Sequence, residues 1–398
     1  MQPQPLEDHD ANDLRLFLED ICCEMCRFDE SASGLDPGQV RIDREVRLAP
    51  EAFADIRVQV PGKLPYYFEV KYGYPPAAIL RSLKRKYGAM QPDGCDRIIM
   101  LVDEPGAVVE ADVRAALHVP LVVWREHDLL RHVGECFGIQ LTSLSTGSLQ
   151  DLRTQVDRAQ GFAAFGGPSL SDYVHDHLRS SLLWHFAFWR LGQLREQYGL
   201  ADRDMLSPGR YQKVVVLLAD LCSFSAFVRD TPDPQIVRHM LTDFYTKARH
   251  QVVNRGGMLS QFVGDEVVAY FGLPDQHPSA AFDAWETALA LVDIGEAVAH
   301  EWQRSIDHVE LTGGVHIGMA MGDLEVFPQR SFSRTHMGQV GDAINMAARL
   351  MNMAGPSEIV MTNLLYRQLQ DTIDPLEEQE PVDAKNIGRI KSWKHRRA

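Results

Sequence analysis

The chain has 398 residues, of which 45% are hydrophobic and 24% charged, and its formal net charge is −15. At roughly 100–200 residues per domain, two or three domains are expected. The acidic balance argues against broad electrostatic capture of nucleic acid or of an anionic membrane. No window approaches the roughly 18 consecutive apolar residues of a membrane helix. The opening "MQPQPLEDHD" has neither the basic nor the apolar region of a signal peptide, so a cytoplasmic protein is the expectation.

Residues 6–28 place Leu14, Leu16, Phe17 and Ile21 at helical spacing. This helix carries "CCEMC", with Cys22, Cys23 and Cys26. No second cysteine pair or His-x3-His follows at zinc-ligand spacing, so free thiols of a reducing compartment are the reading. Strand-like "QVRIDREVRL", "FADIRVQV" and "PYYFEVKYG" come next. Then "PPAAILRSLKRKYG" predicts a helix that starts on prolines and stops at Gly88. "DRIIMLVD", "EADVRAALH", "PLVVWR" and "EHDLLRHVGECFG" continue the alternation, so residues 1–142 read as one α/β domain.

Within that domain Asp55 precedes Glu69-Val-Lys71 in a D…ExK pattern, and strand alternation puts Glu69 and Lys71 on one face. The pattern resembles the core of restriction-endonuclease-like domains, which implies either a metal-dependent nuclease or a non-catalytic sensor or regulatory domain. An exposed strand of alternating charge would read the same way. The basic run Lys84-Arg85-Lys86 reads as a solvated helix face.

Residues 143–208 read as a linker and helical connector. Residues 142–170 are rich in Ser, Thr, Gly and Gln and mark a boundary. Residues 170–200 predict one long aromatic-rich helical stretch. From Lys213 the character changes, and 209–398 read as a second domain. "KVVVLLADLCSF" is a buried strand, a helix is expected from Pro234 to Asn254, and "MLSQFVGDEVVAYFG" reads as a hairpin. A further helix is expected over 278–304. The resulting order βααββαββαβ indicates an α+β layer.

Two carboxylates stand out. Asp220 ends the apolar strand "VVVLLAD", and Asp265 sits in the turn between two apolar strands. Side by side, such a pair is costly unless a cation lies between. Hard oxygen donors suit Mg²⁺ or Mn²⁺, with substrate phosphates completing the coordination. An Asx-type turn at each position is the plainer alternative.

Four segments in order carry a family resemblance. "LLADLCSFSAF" and "SQFVGDEVVAYFG" resemble the two metal motifs of class III nucleotidyl cyclases. "GMAMGDLEVF" and "GQVGDAINMAARL" resemble their dimerisation arm and catalytic helix, with Gly322, Arg334, Gly341, Asn345 and Arg349 at the family's intervals. Asn345 and Arg349, four apart, share one helix face. The resemblance covers about residues 210–395 and implies a ferredoxin-like βαββαβ core. It implies that Asp220, Asp265 and the backbone carbonyl of Leu221 hold two divalent cations. It further implies that Arg349 contacts the α-phosphate, that Asn345 positions the ribose, and that backbone groups at Ser223 and Phe224 cradle phosphates. Lys385 is a candidate phosphate ligand by position, with a solvated surface lysine as the alternative. The implied substrate is a nucleoside triphosphate, and the implied assembly is a head-to-tail homodimer with shared sites.

The base-reading positions depart from the family. Gln261 stands where adenylate cyclases have Lys and guanylate cyclases Glu, and Gly338 stands where they have Asp or Thr and Cys. Gln offers donors and an acceptor and pairs with several bases. The chain resembles the bacterial pyrimidine cyclases of the Pycsar anti-phage system. That implies cyclic UMP, or next cyclic CMP, as the product, sensed by a separate effector. Adenylate cyclase, a catalytically silent nucleotide-binding regulator, and a nuclease with a cyclase-like sensor are the alternatives.

Overall fold

The computed structural model describes residues 8–139, 143–144, 146–166, 177–306, 313–329, 337–384 and 388–396. The chain divides into two compact units, 1–160 and 161–398. Among the described residues no helix is long and apolar enough to cross a membrane.

The first unit runs α1 (Asp8–Ala32), β1 (Arg41–Ala49), β2 (Ala52–Gln59), β3 (Tyr66–Val70), α2 (Pro76–Tyr87), β4 (Ile98–Leu101), α3 (Glu104–Ala107), α4 (Glu110–Ala116), β5 (Leu121–Trp124) and α5 (Glu126–Phe137). Its sheet keeps sequence order, antiparallel from β1 to β3 and parallel from β3 to β5. Both faces are covered, as a parallel segment requires. Leu18, Ile21 and Met25 of α1 pack with Phe68, Leu129 and Val133 on one face, and Ile79, Leu83 and Tyr87 of α2 pack with Met100 and Val113 on the other. Cys22, Cys23 and Cys26 belong to the first of these clusters. Burial pushes the Cys26 thiol up to about 12, which keeps it protonated.

The stretch read from composition as a boundary contains helix α6 (Thr146–Phe165). Leu152 and Val156, one helical turn apart, are fully buried in the first cluster, and that burial stabilises the helix. The expected single helix over 170–200 is two helices where it is described, α7 (His177–His185) and α8 (Phe188–Tyr198), with residues 167–176 outside the described set.

The second unit continues with β6 (Gly209–Leu221), α9 (Phe224–Asp230), α10 (Pro234–Asn254), β7 (Met258–Val263), β8 (Glu266–Phe271), α11 (Ala280–Ile306), β9 (Val315–Pro328), β10 (Met337–Val340), α12 (Asp342–Met353), β11 (Glu358–Thr362), α13 (Asn363–Leu369), β12 (Glu377–Glu378), β13 (Val382–Ala384), β14 (Gly388–Ile390) and β15 (Ser392–Arg396). From β6 to β11 this is the expected βααββαββαβ order. The main sheet has the order β12-β15-β11-β9-β6-β8-β7, with β10 paired to the far end of β9. β6 is central, and every residue from Val214 to Ala219 is buried. That explains its unbroken apolar run.

α12 lies against β9 and β6, burying Ala343, Ala347, Leu350 and Met351 at helical spacing. The approach is close at Gly318. A Cβ there would stand 2.0 Å from Ala347 O and 2.3 Å from Met351 N, so any side chain forces the helix off the sheet.

Candidate active site

The register of the central strands decides what meets at one edge of the second unit. β6 pairs with β9 so that Asp220, its penultimate residue, lies opposite His316. β6 also pairs with β8, and β7 and β8 close in a two-residue turn made of Gly264 and Asp265. Gly264 takes φ +64°, which a first turn position of this kind demands and glycine meets without strain. The turn thereby carries Asp265 to Asp220.

The two carboxyl groups share a hydrogen bond, and the Leu221 backbone N–H donates to both. Burial, then the hydrogen bond and charge of Asp220, push Asp265 up to about 7. Burial would raise Asp220 as well, but hydrogen bonds from His316 and Asp265 hold it below the usual carboxylate range. His316 donates from Nε2 to Asp220 Oδ2 (3.3 Å) and from Nδ1 to Ala354 O (3.4 Å). Two acceptors at the two nitrogens favour the doubly protonated ring, and its pKa is raised accordingly. The Cys222 thiol is pushed up to about 12 by burial and by both aspartates.

The turn is braced from outside the sheet. The Tyr245 hydroxyl on α10 donates to Gly264 O, and its ring stacks on Phe262 with centroids 4.2 Å apart. One helical turn further along α10, Arg249 donates to Leu183 O (2.5 Å) and Trp184 O (3.1 Å) at the end of α7. His185 donates from Nδ1 to Leu259 O of β7 (2.5 Å).

Past the carboxylate pair the chain turns at Ser223, in left-handed conformation (φ +61°), and enters α9 at Phe224. Asn345 and Arg349 lie on the flank of α12 opposite its buried face, Asn345 exposed and Arg349 half-buried. Gln261 is exposed on β7, one residue beyond a bulge at Ser260. Gly338 is buried on β10, opposite Phe327. Ser260 Oγ donates to Gln339 Oε1 (3.2 Å), so the neighbours of Gln261 and Gly338 touch. Lys385 and Arg334 lie outside the described residues.

Residues 206–395 match the adenylate and guanylate cyclase catalytic domain family. The second unit contains a nucleotide cyclase catalytic domain. Domains of this class bind nucleoside triphosphates, use divalent cations and commonly dimerise. The uncharacterized protein Rv1320c of Mycobacterium tuberculosis is 27% identical over 178 residues, 44% of this chain and 29% of that protein. Protein Mb1354c of Mycobacterium bovis matches at the same identity and coverage. The match thus spans under a third of those relatives. Among solved structures, the adenylyl cyclase CyaB from P. aeruginosa is 19% identical, with 48% of this chain and 95% of that one covered and a TM-score of 0.43. The guanylyl cyclase Cya2 is 20% identical, with 48% and 93% covered and a TM-score of 0.41.

The donor set of the cyclase domain fits hard divalent cations. Among the described residues no cluster of three or more His, Cys, Asp or Glu forms a closed metal centre. A carboxylate pair plus a backbone carbonyl instead leaves coordination positions for phosphate oxygens and water. The protonation forced onto Asp265 is what a cation would relieve.

The sequence reading missed His316, Tyr245 and Ser260. His316 was in view, in "GGVHIGM", between apolar residues of a strand. Only the β6–β9 register puts it beside Asp220.

The first unit holds a second cluster of charge. Lys71 Nζ contacts Asp55 Oδ2 (2.5 Å) and Glu69 Oε2 (2.7 Å). Lys86 Nζ contacts Asp55 Oδ1 (2.9 Å) and the same Glu69 oxygen (2.6 Å), and Tyr87 donates to Glu69 Oε1 (2.6 Å). Burial would raise Asp55, but Lys71 and Lys86 hold it well below the usual carboxylate range. Two carboxylates and two ammonium groups cancel, and all four are nearly inaccessible. Lys86 was read from sequence as a solvated helix face, yet its side chain is 7% exposed and points inward. α2 buries Ile79, Leu83 and Tyr87, and Lys86 adjoins that stripe.

Proposed function

We propose that the second unit converts a nucleoside triphosphate to a 3′,5′-cyclic monophosphate and pyrophosphate. The supporting observation is the Asp220–Asp265 pair at adjacent strand ends of a cyclase domain. Asp220, Asp265 and the Leu221 carbonyl would hold two divalent cations, Mg²⁺ or Mn²⁺. Bound there, the cations acidify the ribose 3′-hydroxyl and neutralise the triphosphate. His316 fixes the orientation of Asp220. The 3′-oxygen bonds to the α-phosphorus, the bond to the β-phosphate oxygen breaks, and the hydroxyl proton leaves to water. Arg349 meets the charge redistributing on the α-phosphate, and Asn345 holds the ribose in line. Backbone groups at Ser223 and Phe224, with Lys385, serve the outer phosphates. The opposite flanks of Asn345/Arg349 and of the sheet-facing side of α12 suit a head-to-tail homodimer in which one protomer supplies the aspartates and its partner supplies α12.

The base is read as a pyrimidine, UTP before CTP. Neither Gln261 nor Gly338 supplies the charged or acceptor group with which a purine cyclase selects. Mispaired polar groups can separate substrates by about 10⁴-fold, so losing both selectors matters. The product then acts as a second messenger for a separate effector, as in the anti-phage systems that the sequence resembles. Incubating the purified full chain with each of the four nucleoside triphosphates and Mn²⁺ should give cyclic UMP or cyclic CMP as the main product. Cyclic AMP as the main product overturns the pyrimidine reading. No product from any of them overturns the cyclase reading in favour of a silent nucleotide-binding regulator.

The first unit is read as a restriction-endonuclease-like fold in a regulatory role. What favours regulation over cleavage is Lys86, which places an ammonium group between the carboxylates that a metal would need. The full chain should leave DNA intact in Mn²⁺, and Lys86→Met should cost about 3–5 kcal/mol in urea unfolding of this unit by leaving a buried negative charge uncompensated. Metal-dependent cleavage that Lys71→Ala abolishes would overturn this reading.

A further inference from the structure

On one face of the first sheet the packing leaves a cavity of about 260 Å³. The parallel register sets Phe68 of β3, Ile99 of β4 and Val122 of β5 side by side, and alternation puts Tyr66 and Trp124 on the same face. Glu69 and its ion-paired partners belong to the opposite face of β3, so the cavity is separate from that cluster. Met25, Cys26 and Asp29 of α1, His132 of α5 and Arg97, just before β4, complete the lining. Met25, Cys26 and Phe68 are almost fully buried and form the floor. Val122 is 37% exposed on the edge strand and Asp29 is exposed, which puts the mouth there. The body of the cavity is aromatic. The Phe68 and His132 rings stand nearly perpendicular to Trp124, with centroids 5.0 Å and 4.1 Å from it, and the Arg97 guanidinium sits 4.6 Å above the Tyr66 ring. Cys26 shares a hydrogen bond with Tyr66 and stays protonated, so the floor offers no nucleophile. The rim is polar and carries both signs. Asp29 accepts from the Cys136 thiol (3.0 Å) and keeps other lone pairs, and Arg97 pairs with Asp96 and keeps other N–H donors.

We propose that this cavity is a ligand site for an uncharged planar heteroaromatic of one or two fused rings, the chemical class of a free nucleobase, whose rings lie among Tyr66, Phe68 and Trp124 and whose polar edge donates to Asp29 and accepts from Arg97. Volume sets the size. A cavity of about 150 Å³ takes a benzene ring, so this one takes a single ring or a fused pair. Aromatic walls favour a flat aromatic guest, and an apolar body with a few convergent polar groups is the general form of a small-molecule site. The rim sets the charge. An anionic ligand would meet the Asp29 carboxylate and a cationic one the Arg97 guanidinium, whereas a neutral edge with one donor and one acceptor satisfies both. The proposal rests on the regulatory reading of the first unit for its purpose and on the cavity alone for its chemistry. Absent binding therefore strikes the site and leaves that reading to the DNA-cleavage assay.

The test is calorimetric titration of the full chain with adenine, cytosine, uracil and indole. At least one of the three bases should bind, one per chain, with a Kd on the order of 0.1 mM. Asp29→Asn and Arg97→Gln should each weaken that binding about 10-fold. Val122→Trp fills the mouth and should abolish it. All three replace side chains that reach solvent, and circular dichroism checks that each variant folds. No binding of any base to the wild type overturns the proposal. Binding that survives in a folded Val122→Trp protein places the ligand elsewhere and overturns it too. Indole that binds as tightly as the best base, with neither Asp29→Asn nor Arg97→Gln weakening the base, overturns the polar edge and leaves a cavity for apolar rings only.

Discussion

Asp265→Asn is expected to lower nucleotide cyclisation by at least about 10³-fold and at the same time to make the metal-free protein more stable at alkaline pH. Both effects have one origin. Asp265 and Asp220 are held at the ends of neighbouring strands by register and turn geometry, and the proton equilibrium of Asp265 records the strain: burial and the adjacent carboxyl raise it to about 7. A group whose folded-state pKa is raised contributes full stability below its unfolded value, near 4, and loses that contribution as pH rises through about 7. In chelator, the advantage of the Asn variant should therefore grow between about pH 4 and 7 and level off above. Asp265 is only partly buried, so water screens it, and the gain is held to about 1–2 kcal/mol, a few degrees in melting temperature. Melting curves in EDTA at pH 4.5 and pH 8 measure it. An Asn variant that is less stable at pH 8, or that keeps activity, removes Asp265 from the metal site.

The second large effect is recovery. Asp265→Ala and Arg349→Ala should each be inactive alone. Mixed in equal amounts and allowed to exchange, half of the dimers become mixed, and each mixed dimer has one site with both defects and one with neither. Activity should return to about a quarter of wild type. Exchange confirmed by size, with no recovered activity, would mean that aspartates and arginine act within one protomer.

How much of this was legible in the sequence varies with the physics. α10 was delimited to the residue because Pro234 opens it after an Asp233 cap that accepts from the Gln235 N–H. The Gly264–Asp265 hairpin was legible because a two-residue turn needs a positive φ at a fixed place. The helix inside the boundary stretch was not legible because α6 is polar over most of its surface and is held by Leu152 and Val156, whose burial composition does not reveal. Lys86 failed for a related reason. A lysine beside an apolar stripe is normally solvated, and only the fold places two carboxylates beneath it. His316, Tyr245 and Ser260 act across strands and helices, through pairings that no local pattern encodes.

Tyr245 and Arg249 are four residues apart on α10 and so share a face, about 6 Å of helix rise from one another. One of them is bonded to the carbonyl of Gly264, and the other to the last carbonyls of α7. Helix backbone is stiff over so short a span. A displacement of the connector therefore crosses a single turn of rigid rod before it reaches the loop that presents Asp265. The Asp265 carboxylate and the segment preceding the domain are, mechanically, two ends of one short lever.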